Sequence, residues 1–186
     1  MASVADLKAL IPPVKPAPVV DWENIENHLG IRLPADYKAL MSEYTSLVIG
    51  ENLRLSIGNP GHADIETIAE DDIALLSELM LGEDEQIDIL DDYGKTVGER
   101  YFLPYPEPGG VYPWGSTAYG DILLWEMVGD TPEAWPVWIL HGAEAWRHPG
   151  GVVDFLVRAL NGTLVCPLLQ DGGVLDAHVT EFGPGE

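Results

Sequence analysis

The pattern of hydrophobic and polar positions gives its strongest strand signal between residues 111 and 140. Residues 122–128 are apolar on both alternating faces, and Glu126 is their only charge. A strand that is apolar on both faces is covered on both faces, so we expect a central strand here. Turn residues follow at 129–134, and 135–140 is then predicted to return as the partner strand. This hairpin is predicted to be the centre of the fold.

Helical spacing dominates the N-terminal quarter of the chain. Ser3 is a favourable cap for a short helix over residues 4–11, after which a proline-rich linker is predicted to be extended. A second helix is expected between Asp21, its N-cap, and Gly30, which ends it. Pro34 fits the first position of a third helix, whose apolar stripe is formed by Tyr37, Leu40, Met41 and Tyr44.

Weaker signals complete the pattern. Residues 65–81 carry an imperfect helical stripe, and 152–160 are predicted as a closing helix. The segment 83–92 is interpreted as an acidic loop, or alternatively as a short strand around 87–90. Further strands are predicted at 47–49, 53–57, 101–103 and 143–147.

The order of these elements defines the fold class. Helices first, then strands in antiparallel succession, then a closing helix describe an α+β protein with one mostly antiparallel sheet. A length of 186 residues fits one domain with appendages. We assign residues 1–20 to an N-terminal arm with a proline-rich linker and 21–162 to the domain. Residues 163–186 form a C-terminal extension, which is expected to dock at its beginning and fray at its end.

Acidic residues far outnumber basic ones. The chain has 31 Asp and Glu against 9 Lys and Arg, a net charge of −22, which argues against nucleic acid as a partner. Between Asp64 and Asp92 there is no Lys or Arg. We predict that this segment binds a basic protein partner, and the alternative is a solvated acidic surface without a specific role. The residues assigned to the binding surface are Asp64, Glu66, Glu70, Asp71, Asp72, Glu83, Asp84, Glu85, Asp88, Asp91 and Asp92.

Compartment signals are few. Cys166 is the only cysteine, so no intrachain disulfide is expected and a reducing compartment is favoured. The first residues lack the pattern of a signal peptide, and no apolar run approaches the length of a membrane span. We therefore expect a cytoplasmic protein that does not contact a membrane.

Candidate chemistry is sparse. His141, Glu144 and His148 would offer metal ligands on one helix face, but Gly142 and Pro149 argue against a helix there. Ordinary surface polarity is the better interpretation of these three side chains. No set of nucleophile, base and oxyanion donors is apparent, so we predict a protein without enzymatic activity, cofactor or metal.

Five residues near the central hairpin are assigned structural roles. Asp121 is interpreted as a carboxylate that caps the turn from Gly115 to Gly120 by accepting backbone N–H bonds, with catalysis as the minor alternative. Trp114 and Trp125 are predicted to pack in the core rather than to form a platform for sugar stacking.

Cys166 lies among apolar residues and is expected to be a buried, inert thiol.

A series of short motifs resembles a known family. In order they are Trp22 with Ile25, Leu29-Gly30, Leu33-Pro34-Ala35-Asp36-Tyr37, Pro113-Trp114-Gly115, Gly120-Asp121, Trp135-Pro136-Val137, and Val153-Asp154-Phe155-Leu156 with Gly162. Their order and spacing resemble the SUKH superfamily, which groups yeast cell-wall-assembly-regulator-like proteins with bacterial toxin-immunity proteins. The resemblance covers residues 21–162 and implies an α+β fold without enzymatic activity.

The resemblance also implies a function. Bacterial members of the superfamily commonly bind and block polymorphic toxins, many of which are nucleases. It therefore favours an immunity protein whose acidic surface covers a basic toxin. The alternative is an intracellular scaffold or regulator of the same fold with no toxin partner.

Overall fold

The computed structural model describes residues 1–44, 46–50, 52–55, 86–169 and 177–182. The predicted helix at 65–81 lies outside these residues. The described α-helices are α1 (Val4–Leu10), α2 (Trp22–Leu29), α3 (Ala35–Met41) and α4 (Val152–Leu160). None of the helices in the described ranges is long and apolar enough to cross a membrane.

One sheet contains all the named strands. They are β1 (Ser46–Ile49), β2 (Leu53–Leu55), β3 (Ile87–Leu90), β4 (Thr96–Arg100), β5 (Val111–Thr117), β6 (Ile122–Glu126), β7 (Val137–His141), β8 (Glu144–His148) and β9 (Val179–Phe182). The order across the sheet is β4-β3-β8-β7-β6-β5-β2-β1-β9. Only the β3–β8 pair is parallel among the described strands, so the predicted α+β class with a mostly antiparallel sheet is confirmed.

The central strand is β6, as predicted. It lies fifth of nine in the sheet order, and all of its residues are buried. It pairs antiparallel with β7, which confirms the predicted hairpin. Leu123 and Trp125 belong to the larger hydrophobic cluster, to which all four described α-helices contribute. Ile122 and Leu124 belong to a smaller cluster on the opposite face of the sheet.

The predicted helix boundaries at the N-terminus are confirmed almost residue for residue. Ser3 and Asp6 form a reciprocal capping box at α1. Asp21 accepts the N–H of Asn24 at the start of α2, and Gly30 ends that helix with a φ of 70°. Pro34 occupies the N-cap of α3 rather than its first helical position, a difference of one residue.

The N-terminus of α4 is capped by a side chain from α3. Asp36 Oδ2 accepts the N–H of Val153 at 3.2 Å, and Asp36 Oδ1 accepts the N–H of Tyr37 at 2.8 Å. A β-carbon on Gly151, the N-cap of α4, would collide with Asp36 Oδ2. Burial raises the pKa of Asp36, while the backbone N–H groups oppose that shift. This contact joins two segments that are far apart in the sequence.

Two strand predictions need correction. Residues 101–103 were expected to form a strand, but the strand ends at Arg100, and the chain then turns so that Val111 N donates to Leu103 O at 2.7 Å. β4 was missed because its residues are exposed on both faces, so the sequence carries no alternating apolar pattern there. The short-strand interpretation of 87–90 is confirmed by β3.

The C-terminal extension contributes more than expected. Its beginning docks as predicted, since Leu164, Cys166 and Leu169 are buried in the larger cluster. β9, which was not predicted, adds a strand beside β1, with Val48 opposite Thr180. This strand has only four residues, two of them polar, so it carries no periodic signal that sequence reasoning could detect.

Candidate functional site

The β3–β4 hairpin forms an exposed edge of the sheet. β4 stands at the end of the strand order and pairs only with β3 among the described strands. Tyr93, in the turn, is 93% exposed, and Val97 is 61% exposed. The end of β4 is held by Arg100, whose guanidinium lies 4.6 Å from the ring centroid of Phe102. The hairpin is therefore anchored to the core while its outer side faces solvent.

Three carboxylates form a row across this edge. Asp88 of β3 is directly opposite Glu99 of β4 and directly opposite Glu144 of β8. Directly opposite residues project from the same face of a sheet, so the three side chains lie side by side. We call Glu99, Asp88 and Glu144 the acidic row. Like charges in opposite positions are destabilising, and a cation that lies over the row would relieve this repulsion.

The two other predicted acids in the described part of the hairpin have structural contacts. Asp91 Oδ1 accepts the backbone N–H groups of Tyr93 at 2.9 Å and of Lys95 at 3.0 Å, which fixes the turn. Asp92 Oδ1 accepts Trp146 Nε1–H at 2.9 Å and ties the turn to β8. These two carboxylates hold the hairpin in place. Of the three acids in the hairpin that the sequence analysis assigned to partner binding, Asp88 is therefore the one that lies in the acidic row.

Three of the acids that were assigned to the binding surface from the sequence lie in this hairpin. Asp88, Asp91 and Asp92 lie in the hairpin, whereas the remaining predicted acids lie outside the described residues: Asp64, Glu66, Glu70, Asp71, Asp72, Glu83, Asp84 and Glu85. Glu99 and Glu144 were missed. They are separated from Asp88 in the sequence, and only the strand register brings them beside it.

A buried polar cluster closes the turn between β5 and β6. Asp121 is 1% exposed, and its Oδ1 lies 2.8 Å from Nδ1 of His141. Asp121 Oδ2 accepts the hydroxyl of Thr117, whose N–H donates to the Asp121 carbonyl at 2.9 Å. The carboxylate therefore stabilises the turn through side chains, not through the backbone N–H bonds that were expected. Gly120, with a φ of 91°, provides the turn conformation.

Asp121→Asn is expected to lower the free energy of unfolding by about 1 kcal/mol, because charge-assisted hydrogen bonds are stronger than neutral ones. Urea denaturation measures the change. Asp130→Asn is the matched control, since Asp130 is exposed and its replacement should stay within about 0.5 kcal/mol. Equal stabilities for the two variants would contradict the structural role of Asp121.

The remaining structural assignments fall in the core. Trp114 and Trp125 are both buried, with ring centroids 6.2 Å apart. Trp114 also packs edge-to-face on Phe155 of α4 at 5.9 Å. A β-carbon on Gly115 would lie 2.8 Å from the carbonyl oxygen of Arg54 on β2. Glycine at this position therefore permits the close approach of two strands.

The residues that the structure describes offer little chemistry of a catalytic kind. Burial raises the pKa of Cys166 to about 11, so its thiol stays protonated near neutral pH. His141 and Glu144 lie on adjacent strands rather than on a helix. Among the described residues, no group of three or more His, Cys, Asp or Glu side chains is arranged to hold a metal ion.

A cavity of about 140 Å³ lies at the N-terminus of α4. Trp125, Trp135, Asp36 and Asp154 are among its lining residues. Both carboxylates already have partners: Asp36 caps α4, and Asp154 accepts the N–H of Ala2 at 3.0 Å and the Nε–H of Arg158 at 2.8 Å. The cavity is therefore bordered by groups that hold the N-terminus and α4 together.

These features define a class of protein: an α+β domain with helices packed on one face of a large sheet and an acidic, exposed edge. The chain belongs to the SMI1 / KNR4 family (SUKH-1), whose model matches residues 16–153. Domains of this family are generally non-catalytic binding modules, and the family includes cell-wall regulators. No curated protein and no solved structure gives a significant match to the chain.

Proposed function

We propose that this protein is an immunity protein, which binds and neutralises a polymorphic toxin domain with a basic binding surface. Membership of the SUKH-1 family, whose domains are consistent with an immunity or binding module, supports this function. The observation that carries it is the acidic row on an exposed sheet edge. A nuclease toxin fits this surface, because a nuclease holds phosphate with Lys and Arg, and carboxylates can occupy the same positions.

Electrostatics favours a basic partner over a neutral one. The net charge of −22 creates an attractive field for a cationic protein, which raises the rate of encounter. Affinity then depends on apolar contacts near the charged surface. Exposed Tyr93 and Val97 of the hairpin offer such contacts. The acidic row would orient the partner, and these side chains would contribute to its retention.

An intracellular scaffold or regulator is the second candidate. The same family includes cell-wall regulators, so the fold is compatible with both functions. A toxin-neutralisation assay distinguishes the immunity function from the scaffold or regulatory function. Cells that co-express this protein with a toxin encoded beside its gene should survive, whereas cells that express the toxin alone should not. Death in both cases, with the two proteins present and folded, would contradict the immunity function.

Neutralising the acidic row is expected to slow binding of that toxin domain. The variant Asp88→Asn/Glu99→Gln/Glu144→Gln should lower the association rate by about tenfold at low salt and flatten its salt dependence. The dissociation rate should change less, because charge complementarity acts mainly on encounter. Surface plasmon resonance at two salt concentrations measures both rates.

The matched control carries the same change of net charge elsewhere. Glu23→Gln/Glu107→Gln/Asp130→Asn replaces three exposed acids outside the hairpin. It should lower the association rate far less than the acidic-row variant. Equal effects of the two triple variants would mean that only the net charge matters, and the acidic row would then have no specific role.

A further inference from the structure

We propose that the outer edge of β4 accepts an added β-strand from a basic, extended segment of the partner protein. This inference deepens the proposed function, on which it rests, by giving the mode of recognition. In strand addition, main-chain hydrogen bonds supply affinity and alternate side chains supply specificity. The surface concerned consists of β4 together with the acidic row on its face.

In β4, the backbone N–H and C=O groups of Glu99 are directed away from the sheet. Asp88 N donates to Ala143 O at 2.9 Å, on the β8 side, so Asp88 directs its backbone polar groups towards β8. Its neighbours in β3, Ile87 and Ile89, therefore bond to β4, where they pair with Arg100 and Gly98. Because hydrogen-bonding direction alternates along an antiparallel strand, the N–H and C=O of Glu99 point outward.

The two edges of the sheet differ. At β9, the Glu181 carboxylate accepts the N–H of Val14 at 2.5 Å, so part of the N-terminal arm contacts that edge strand. At β4, no described residue pairs with the outer side, and Thr96 to Glu99 are exposed. An exposed row of backbone donors and acceptors is a template for strand pairing.

The β4 edge is held in a fixed conformation. The turn is fixed by Asp91, and the far end by Arg100, which forms an ion pair with Glu126 at 2.7 Å. Pre-organisation lowers the ordering cost of binding. An irregularity in the β3–β4 register beyond Ile89 interrupts the ladder near the turn. It limits regular pairing to the section around Glu99, since bulges protect an edge from indiscriminate pairing.

Electrostatic repulsion and attraction determine which strand can pair with the outer edge of β4. A second copy of the chain pairing antiparallel through β4 about Glu99 would place the two Glu99 side chains opposite each other, on a protein whose net charge is already −22. Like charges in directly opposite positions are destabilising. A basic strand reverses the sign of this interaction, since a Lys or Arg opposite Glu99 would lie next to the acidic row. We therefore commit to a basic partner segment.

A defined probe tests this inference on the full chain. The peptide acetyl-(Lys-Val)4-amide is basic and can form a strand, whereas its analogue with an N-methyl group on every backbone amide has the same charge but lacks N–H donors. Titration followed by ¹⁵N–¹H NMR should shift the Glu99 amide with the first peptide. Affinity for the second should be at least about tenfold weaker. Equal affinity for the two peptides, or no shift at Glu99, would overturn the proposal.

Two variants distinguish the contribution of the Glu99 backbone N–H to binding from that of its side-chain charge. Glu99→Pro removes the outward N–H, and Glu99→Gln removes the charge while it keeps the N–H. Glu99→Pro should bind the Lys-Val peptide at least about tenfold more weakly than Glu99→Gln, with matching melting temperatures as the fold control. Should the proline variant unfold, hydrogen exchange on the wild-type protein decides. Protection of the Glu99 amide on addition of peptide supports strand addition, and unchanged exchange overturns it.

The toxin assay distinguishes failure of the two proposals. A toxin domain that is bound equally well by Glu99→Pro and Glu99→Gln would leave the immunity function standing and overturn strand addition. The opposite result, in which the Lys-Val peptide pairs with β4 but no adjacent toxin is neutralised, would leave the edge site standing and remove the immunity function.

Discussion

Trp125→Ala is expected to lower the free energy of unfolding by about 3–5 kcal/mol, the range for emptying a large buried aromatic site. Trp125 is 1% exposed and lies in the central strand β6. Its ring packs edge-to-face on Tyr37 of α3 at 4.9 Å and lies near Trp114 of β5 at 6.2 Å. The replacement thus removes contacts between the sheet and the helical layer.

Chemical denaturation with urea measures this loss. Tyr119→Ala is the control, because Tyr119 is 57% exposed and its replacement should change stability by less than about 0.5 kcal/mol. A loss below about 1 kcal/mol for Trp125→Ala would contradict the close packing of this side chain between the sheet and the helical layer.

Glu126→Ala is expected to lower the free energy of unfolding by about 2–3 kcal/mol, the range for hydrogen bonds to charged groups that leave a buried partner unpaired. Glu126 is the only acid of β6 and is buried. Its Oε2 accepts Trp138 Nε1–H at 2.8 Å, and its Oε1 lies 2.7 Å from Arg100 Nη2. Alanine would leave the buried indole N–H of Trp138 without its acceptor and would remove the ion pair that holds Arg100 at the end of β4.

The matched comparison is Glu144→Ala, which removes an exposed carboxylate from the same sheet and should cost less than about 0.5 kcal/mol. Glu126→Gln should fall between the two, because its amide oxygen can still accept one hydrogen bond. Thermal and urea unfolding of the three variants give the order. A Glu126→Ala protein as stable as Glu144→Ala would show that the ion pair and the indole contact contribute nothing.

The fold was predictable where burial imposes a regular spacing of apolar residues along the sequence. β6 is buried on both faces and reads as a continuous apolar run, while Asp21 and Gly30 mark the ends of α2 with recognised capping chemistry. β4 could not be found in this way, because an exposed edge strand needs no apolar residues on either face. Its strand conformation is fixed by pairing with β3, and pairing is a non-local property.

The candidate site was predictable only in outline. The excess of acids between residues 64 and 92 pointed to the hairpin, and Asp88 lies there. Strand register, which no local pattern encodes, brought Glu99 and Glu144 beside it. The same limit applies to Asp121, whose buried position fits a structural role but whose partners Thr117 and His141 depend on how three strands meet.

The pairing of β9 with β1 has a consequence for synthesis on the ribosome. Ile49 of β1 pairs with Val179 of β9, about 130 residues later in the chain. At roughly 5–20 residues per second, translation of that interval takes about 7–26 s. During this time β1 has emerged without its outer neighbour, so its backbone is available to other nascent chains. The sheet of nine described strands is therefore completed late in translation, and chaperone protection of β1 would matter most in that interval.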